Sequence, residues 1–131
     1  MTKSISILGS TGSIGLSTLS IVDKKKNYFK IILLAANKNY LSICKQIIKY
    51  KPKYFIISNQ NIYKKVKKKF KKSKIKIYNE FNFKNLVNSD ITITAIPGIA
   101  GLKPTITMVK FSNKILIANK EAIICGWNLL K

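Results

Sequence analysis

Hydrophobic positions along this chain follow two alternating patterns. Short runs in which almost every residue is apolar, such as Ile5-Ser6-Ile7-Leu8 and Ile31-Ile32-Leu33-Leu34-Ala35-Ala36, are separated by longer segments with apolar residues every three or four positions. The runs suit strands covered on both faces, and the segments suit helices that bury one side. Read this way, strands are predicted over residues 4–8, 30–36, 54–57, 74–78, 90–95 and 114–118. Helices are predicted over residues 13–24, 41–50, 62–71 and 103–110, with a short one near 83–87 and another beginning over 120–130. The first helix is expected to bury Ile14, Leu16, Leu19, Ile21 and Val22, and the second Leu41, Cys44, Ile47 and Ile48. Pro52 marks the exit from the second helix, and Ser58-Asn59-Gln60-Asn61 offers caps for the third.

Strands alternating with helices specify an α/β fold with a doubly wound, mostly parallel sheet. Such sheets bind ligands beyond the carboxyl ends of their strands, near the point where strand order reverses. The loops after strands one, two, five and six are therefore expected to face one crevice. They carry Gly9 to Gly15, Asn37-Lys38-Asn39, Ile96-Pro97-Gly98 and Asn119-Lys120-Glu121.

Composition narrows the class. The chain has 131 residues, 47% of them hydrophobic, enough for one domain with a core that needs no disulfide or metal. Cys44 and Cys125 lie far apart on apolar segments and read as reduced core residues. No basic leader precedes an apolar stretch, and no apolar run approaches the ~18 residues needed to span a bilayer. The expectation is a soluble, cytoplasmic protein without membrane contact. A net charge of +21 attracts phosphate, yet every basic residue is lysine and none is the arginine that grips phosphate bidentately and reads guanine edges. The mixture of Lys, Ile, Asn and Tyr matches the drift of an AT-rich genome, and the cluster at Lys64 to Lys72 alternates with Val66 and Phe70 as a solvated helix face would. Nucleic acid is accordingly not expected as a partner.

The chemistry concentrates at Gly9-Ser10-Thr11-Gly12-Ser13-Ile14-Gly15, where a strand turns into a helix. Glycines three apart permit a positive φ and a close ligand approach, and the helix N-terminus favours an anion. In this setting the motif is a dinucleotide fingerprint, with Thr11, Ser13 and the amides of Gly12, Ser13 and Ile14 facing the pyrophosphate. Sites specific for NAD end strand two with an acid. Here Asn37-Lys38-Asn39 stands in its place, a lysine and two amides suited to a 2′-phosphate, so the cofactor is read as NADPH.

Together with Gly98-Ile99-Ala100-Gly101-Leu102-Lys103-Pro104-Thr105 and Ala118-Asn119-Lys120-Glu121, these motifs resemble the 1-deoxy-D-xylulose 5-phosphate reductoisomerases, from Ser4 to about Gly126. The resemblance implies a Rossmann-type NADPH-binding domain over residues 1–131. It also implies conversion of 1-deoxy-D-xylulose 5-phosphate to 2-C-methyl-D-erythritol 4-phosphate in the non-mevalonate route to isoprenoids, with NADPH and Mg²⁺ or Mn²⁺. Carried over by position, Thr11, Gly12, Ser13 and Ile14 match the pyrophosphate loop, and Asn37, Lys38 and Asn39 match the 2′-phosphate segment. Asn119 and Glu121 match cofactor contacts, and Lys120 matches a substrate contact. The family commonly has glycine at Asn37, a departure that asparagine's tolerance of left-handed backbone makes mild.

In that family the metal-binding carboxylates, the residues that grip the substrate phosphate and the lid belong to a catalytic domain after the cofactor domain, and the enzyme is typically a homodimer. This chain has no histidine, and its acids, Asp23, Glu80, Asp90 and Glu121, form no evident hard-cation site. No catalytic or metal-binding residue is assigned in it, and it is expected to bind cofactor without turnover. Two other readings stay open. Another NADP-dependent oxidoreductase, such as a semialdehyde dehydrogenase, shares the glycine turn but needs a catalytic cysteine, and neither Cys44 nor Cys125 falls in a suitable loop. A non-catalytic nucleotide-binding or nucleic-acid-binding module would use the charge alone.

Overall fold

The computed structural model describes residues 2–81, 88–96 and 102–118. Within them the elements run β1 (Lys3–Leu8), α1 (Ser13–Lys24), β2 (Phe29–Ala36), α2 (Tyr40–Tyr50), β3 (Tyr54–Ile57) and α3 (Gln60–Lys69). They continue with β4 (Lys76–Tyr78), β5 (Ser89–Thr94), α4 (Leu102–Val109) and β6 (Ser112–Ile117). Each predicted strand is present within two residues of its expected bounds. The short helix near 83–87 and the final helix over 120–130 lie outside the described residues, as does Cys125.

The six strands form one sheet in the order β4-β3-β2-β1-β5-β6, and every neighbouring pair is parallel. This is the doubly wound arrangement expected from the alternation of elements. The chain steps outward from β1 through β2, β3 and β4, then crosses to the other side of β1 for β5 and β6. The reversal lies between β1 and β5, where Leu8 is opposite Thr94, while on the other side of β1 Leu8 is opposite Ala35. The carboxyl ends of β1, β2 and β5 thus finish side by side.

Side chains alternate across the sheet and divide the core into two layers. Ile5, Ile7, Leu34, Phe55 and Ile57 face α1, α2 and α3, meeting Leu19, Val22, Ile43, Cys44, Ile47 and Val66. Leu8, Leu33, Ala35, Tyr54 and Ile56 face the other way, toward Met108 of α4. Sheet residues with neither face to solvent account for the near-continuous apolar runs of β2 and β3.

The helices differ from the sequence reading in which residues they bury. In α1 the buried positions are Gly15, Leu19 and Val22, whereas Ile14, Leu16 and Ile21 are 46%, 49% and 58% exposed. In α2 the buried positions are Ile43, Cys44, Gln46 and Ile47, and Leu41 and Ile48 face outward. Gly15 causes the first correction: its backbone lies so close to the strand turn that the helix seats on the glycine and not on the bulkier neighbours. The second follows from Gln46, a polar residue occupying a core position. For α3 the expected pattern holds, with Val66 buried, Phe70 packed against the core and the lysines outside. Its cap is Asn59, whose side-chain oxygen accepts from the Ile62 amide at 3.1 Å.

Candidate cofactor-binding site

Beyond the carboxyl ends of the strands lies a crevice of about 450 Å³. Gly9, Thr11 and Gly12 border it from the loop after β1, Asn37, Lys38 and Asn39 from the loop after β2, and Ala95 and Ile96 from the end of β5. The loops after β1 and β2 converge there as expected, and of the loop after β5 the described Ile96 does so as well. The fourth, with Asn119, Lys120 and Glu121, lies outside the described residues, as does the stretch from Pro97 to Gly101. Ile56, within β3, and Ser58 and Phe81, beyond β3 and β4, also line the crevice, and the sequence reading did not include them. The only sign of the last two in the sequence was their position after predicted strands.

The glycine turn is held on two sides. The amides of Gly9 and Ser10 both donate to the Ala35 carbonyl, at 2.8 and 2.9 Å, and the Ala95 amide donates to Leu8 at 2.8 Å. Gly9 has φ +88°, and a Cβ placed on it would stand 2.7 Å from the Ala95 carbonyl oxygen. A Cβ on Gly15 would come within 2.1 Å of the Gly9 carbonyl oxygen. These two glycines allow strand, turn and helix to pack against one another. Gly12 is different. Its nearest neighbour to such a Cβ is 3.7 Å away, and the residue is exposed at the edge of the crevice. Space at Gly12 is not needed by the fold, so it is available to an approaching ligand.

Gly12 also caps α1 and supplies no side-chain acceptor to the first helical turn. By contrast, Asn39 caps α2 through a bond from the Ser42 amide, at 3.2 Å, and Asn59 caps α3. The first amides of a helix have no partner within it, so the α1 terminus presents donors and the positive end of a dipole at the crevice. Ser13 and Ile14 form this first turn, and both are exposed.

On the other wall, Asn37, Lys38 and Asn39 are all exposed. The Asn37 side-chain oxygen accepts from the Ser58 hydroxyl at 2.9 Å, and the Ser58 amide donates to the Ala36 carbonyl at 3.1 Å. These bonds join the loops after β2 and β3 and turn the amide group of Asn37 into the half of its side chain suited to donate to an anion. Asn39 is committed through its oxygen to the α2 cap, which fixes Lys38 between two anchored neighbours. Among the described residues, the crevice lining contains Lys38 and no acid.

Asp23 and Asp90 lie away from the crevice. Asp23, at the end of α1, pairs with Lys49 at 2.8 Å and accepts from Tyr50 at 2.9 Å. The Lys49 bond holds the Asp23 carboxyl below the usual carboxylate range, against a smaller effect of burial, and burial together with Asp23 pushes the Tyr50 phenol up. Asp90 begins β5 and accepts from the Ser4 amide at 2.9 Å. That amide, with the Ser4 hydroxyl and Asn113 adding to it, holds the Asp90 carboxyl down. Both acids belong to the end of the sheet opposite the crevice. Among the described residues no three His, Cys, Asp or Glu side chains are grouped to hold a metal ion, so these residues do not fit a divalent cation. Cys44 is a free thiol buried in the core, not at the crevice. Among the described residues no helix is long and apolar enough to cross a membrane.

Residues 5–126 match the family model described as 1-deoxy-D-xylulose 5-phosphate reductoisomerase. A relative from Pelagibacter ubique (strain HTCC1062), named 1-deoxy-D-xylulose 5-phosphate reductoisomerase, is 44% identical over 134 residues, covering 98% of this chain and 34% of that protein. Among solved structures, the enzyme from Zymomonas mobilis in complex with NADPH superposes with a TM-score of 0.87 at 26% identity, over 99% of this chain and 35% of the other. A DOX-P reductoisomerase in complex with magnesium gives the same TM-score and identity, over 99% of this chain and 34% of the other. The chain thus spans about a third of the length of the proteins it matches. Within that span the match takes in the glycine turn and the Asn37-Lys38-Asn39 loop, and the chain belongs to the 1-deoxy-D-xylulose 5-phosphate reductoisomerase family.

Proposed function

We propose that this chain is the NADPH-binding part of a 1-deoxy-D-xylulose 5-phosphate reductoisomerase. The observation that carries the reading is that the α1 N-terminus with its open Gly12 and the Asn37-Lys38-Asn39 loop border the same crevice. The amides of Ser13 and Ile14, with Thr11 and the open Gly12, whose own amide donates to the Gly9 carbonyl at 3.3 Å, receive the pyrophosphate. Lys38 neutralises the 2′-phosphate, and Asn37 and Asn39 flank it. When bound, the nicotinamide supplies hydride for reduction of the rearranged sugar phosphate. Asn119 and Glu121 are proposed as further cofactor contacts and Lys120 as a substrate contact, on the family resemblance. The same resemblance supports a cytoplasmic homodimer and places the Mg²⁺ or Mn²⁺ site on family residues that have no counterpart among those described. Support for the cofactor comes also from the Zymomonas mobilis relative, which binds NADPH.

A fluorescence titration of the full-length protein tests this reading. A charge-assisted contact to the 2′-phosphate predicts NADPH binding about ten- to a hundredfold tighter than NADH. Lys38→Glu should invert that preference, because a carboxylate repels the phosphate and accepts from a ribose hydroxyl. Equal affinity of the parent for both nucleotides would sink the assignment of Lys38.

A further inference from the structure

Gln46 is only 5% exposed, and it is the one polar side chain among the buried positions of α2. A buried amide is costly unless both its halves are paired, and here both are paired to a single residue. The Gln46 Nε2 donates to the Ser10 carbonyl at 2.9 Å, and its Oε1 accepts from the Ser10 hydroxyl at 2.7 Å. Ser10 is fully buried behind the glycine turn, and its amide is already bound to Ala35. Its amide, carbonyl and hydroxyl are thus all committed, immediately after the left-handed Gly9 and immediately before Thr11 and Gly12. The helix that supplies Gln46 also begins directly after Asn37-Lys38-Asn39 and is capped by Asn39.

We infer that Gln46 is a positioning residue for the dinucleotide, which acts through Ser10 to hold the glycine turn in the geometry that presents its amides to the pyrophosphate. Gln46 does not touch the crevice itself, so it contributes to affinity without contacting the ligand. A leucine or methionine would pack the same site without any orienting bonds, and the turn would keep its chain path but lose its fixed amide directions. The inference rests on the cofactor reading above.

Three ligands separate positioning from support of the fold: NADPH, NADH and adenosine 2′-monophosphate, which reaches the Lys38 loop without a pyrophosphate. Titrated against full-length Gln46→Met protein, NADPH and NADH should each weaken about tenfold, the loss expected for one or two net hydrogen bonds. The affinity for adenosine 2′-monophosphate should stay within about twofold of the parent's. Ser10→Ala removes only the hydroxyl bond and provides the same comparison if Gln46→Met does not fold. The double variant should bind no more weakly than Gln46→Met alone, because Gln46→Met already breaks the hydroxyl bond that Ser10→Ala removes. Dinucleotide affinities unchanged in the variants, or a matching loss for adenosine 2′-monophosphate, would overturn the positioning role while leaving the cofactor reading intact. A parent protein that binds none of the three overturns the cofactor reading, and this inference with it.

Discussion

At the scale of single residues, the three glycines of the turn have different duties, and substitution separates them. Gly15→Ala forces a methyl group against backbone at 2.1 Å, which neither strand nor helix can yield without parting. A loss of about 3 kcal/mol or more in urea unfolding is expected. Gly12→Ala meets nothing closer than 3.7 Å and should cost about 1 kcal/mol or less, the penalty of alanine at an N-cap, while nucleotide titration shows a weakened site. The common spacing of Gly9, Gly12 and Gly15 was evident in the sequence, but the division of labour between them was not, because it depends on Ala95 and on the carbonyl of Gly9. Gln46 was hidden for a related reason. Nothing near it in the sequence suggests that its partner lies 36 positions earlier.

Asp23 and Asp90 give the pH dependence its sign. Both carboxyls are held below the ordinary 3.8 in the folded state, so the unfolded chain takes up protons first as pH drops. Their stabilisation is fully present above about pH 4 and is lost as pH falls through the folded-state values. Asp90→Asn should therefore flatten the fall in stability below about pH 4, read from urea midpoints at each pH.

At the scale of elements, β2 and β3 were readable as near-continuous apolar runs because both their faces are covered, whereas the edge strand β6 stays partly exposed. Of the helices, α1 and α2 were found but rotated, while α3 faces the core as expected. A count of large apolar residues turned α1 toward Ile14 and Ile21, since glycine carries no hydrophobic signal even when it is the residue pressed deepest against the sheet. In α2 the polar Gln46 obscured the face built by Ile43, Cys44 and Ile47. Stability measurements can check the corrected faces. Leu34→Ala, in the core with no exposed surface, should cost about 2–5 kcal/mol, whereas Leu41→Ser, at 71% exposure, should stay within about 0.5 kcal/mol of the parent.

At the scale of the whole molecule, the charge of +21 sets the terms on which the fold exists. Only four acids stand against 25 lysines, and the lysines of α3 are exposed. Self-repulsion of this size destabilises the compact state, so the melting temperature should rise as added sodium chloride shortens the Debye length from ~30 Å at 0.01 M to ~8 Å at 0.15 M. The same salt should weaken NADPH more than NADH, because the extra phosphate gains most from the field. The crevice benefits from the charge wherever the lysines come from, and its electropositive wall needs no arginine.

The two carbonyls that shape the glycine turn come from Ala35 and Ala95, at the ends of β2 and β5. A turn beginning at residue 9 thus takes its form from chain that is synthesised 26 and 86 residues later. Pairings over such separations carry a loop-closure cost and form late. During synthesis, the glycine turn is therefore expected to take its final form only once β5 has joined β1, however early its own residues leave the ribosome. Nucleotide capture then reports completion of the sheet, and in a refolding experiment it should follow, and never precede, burial of the central strand.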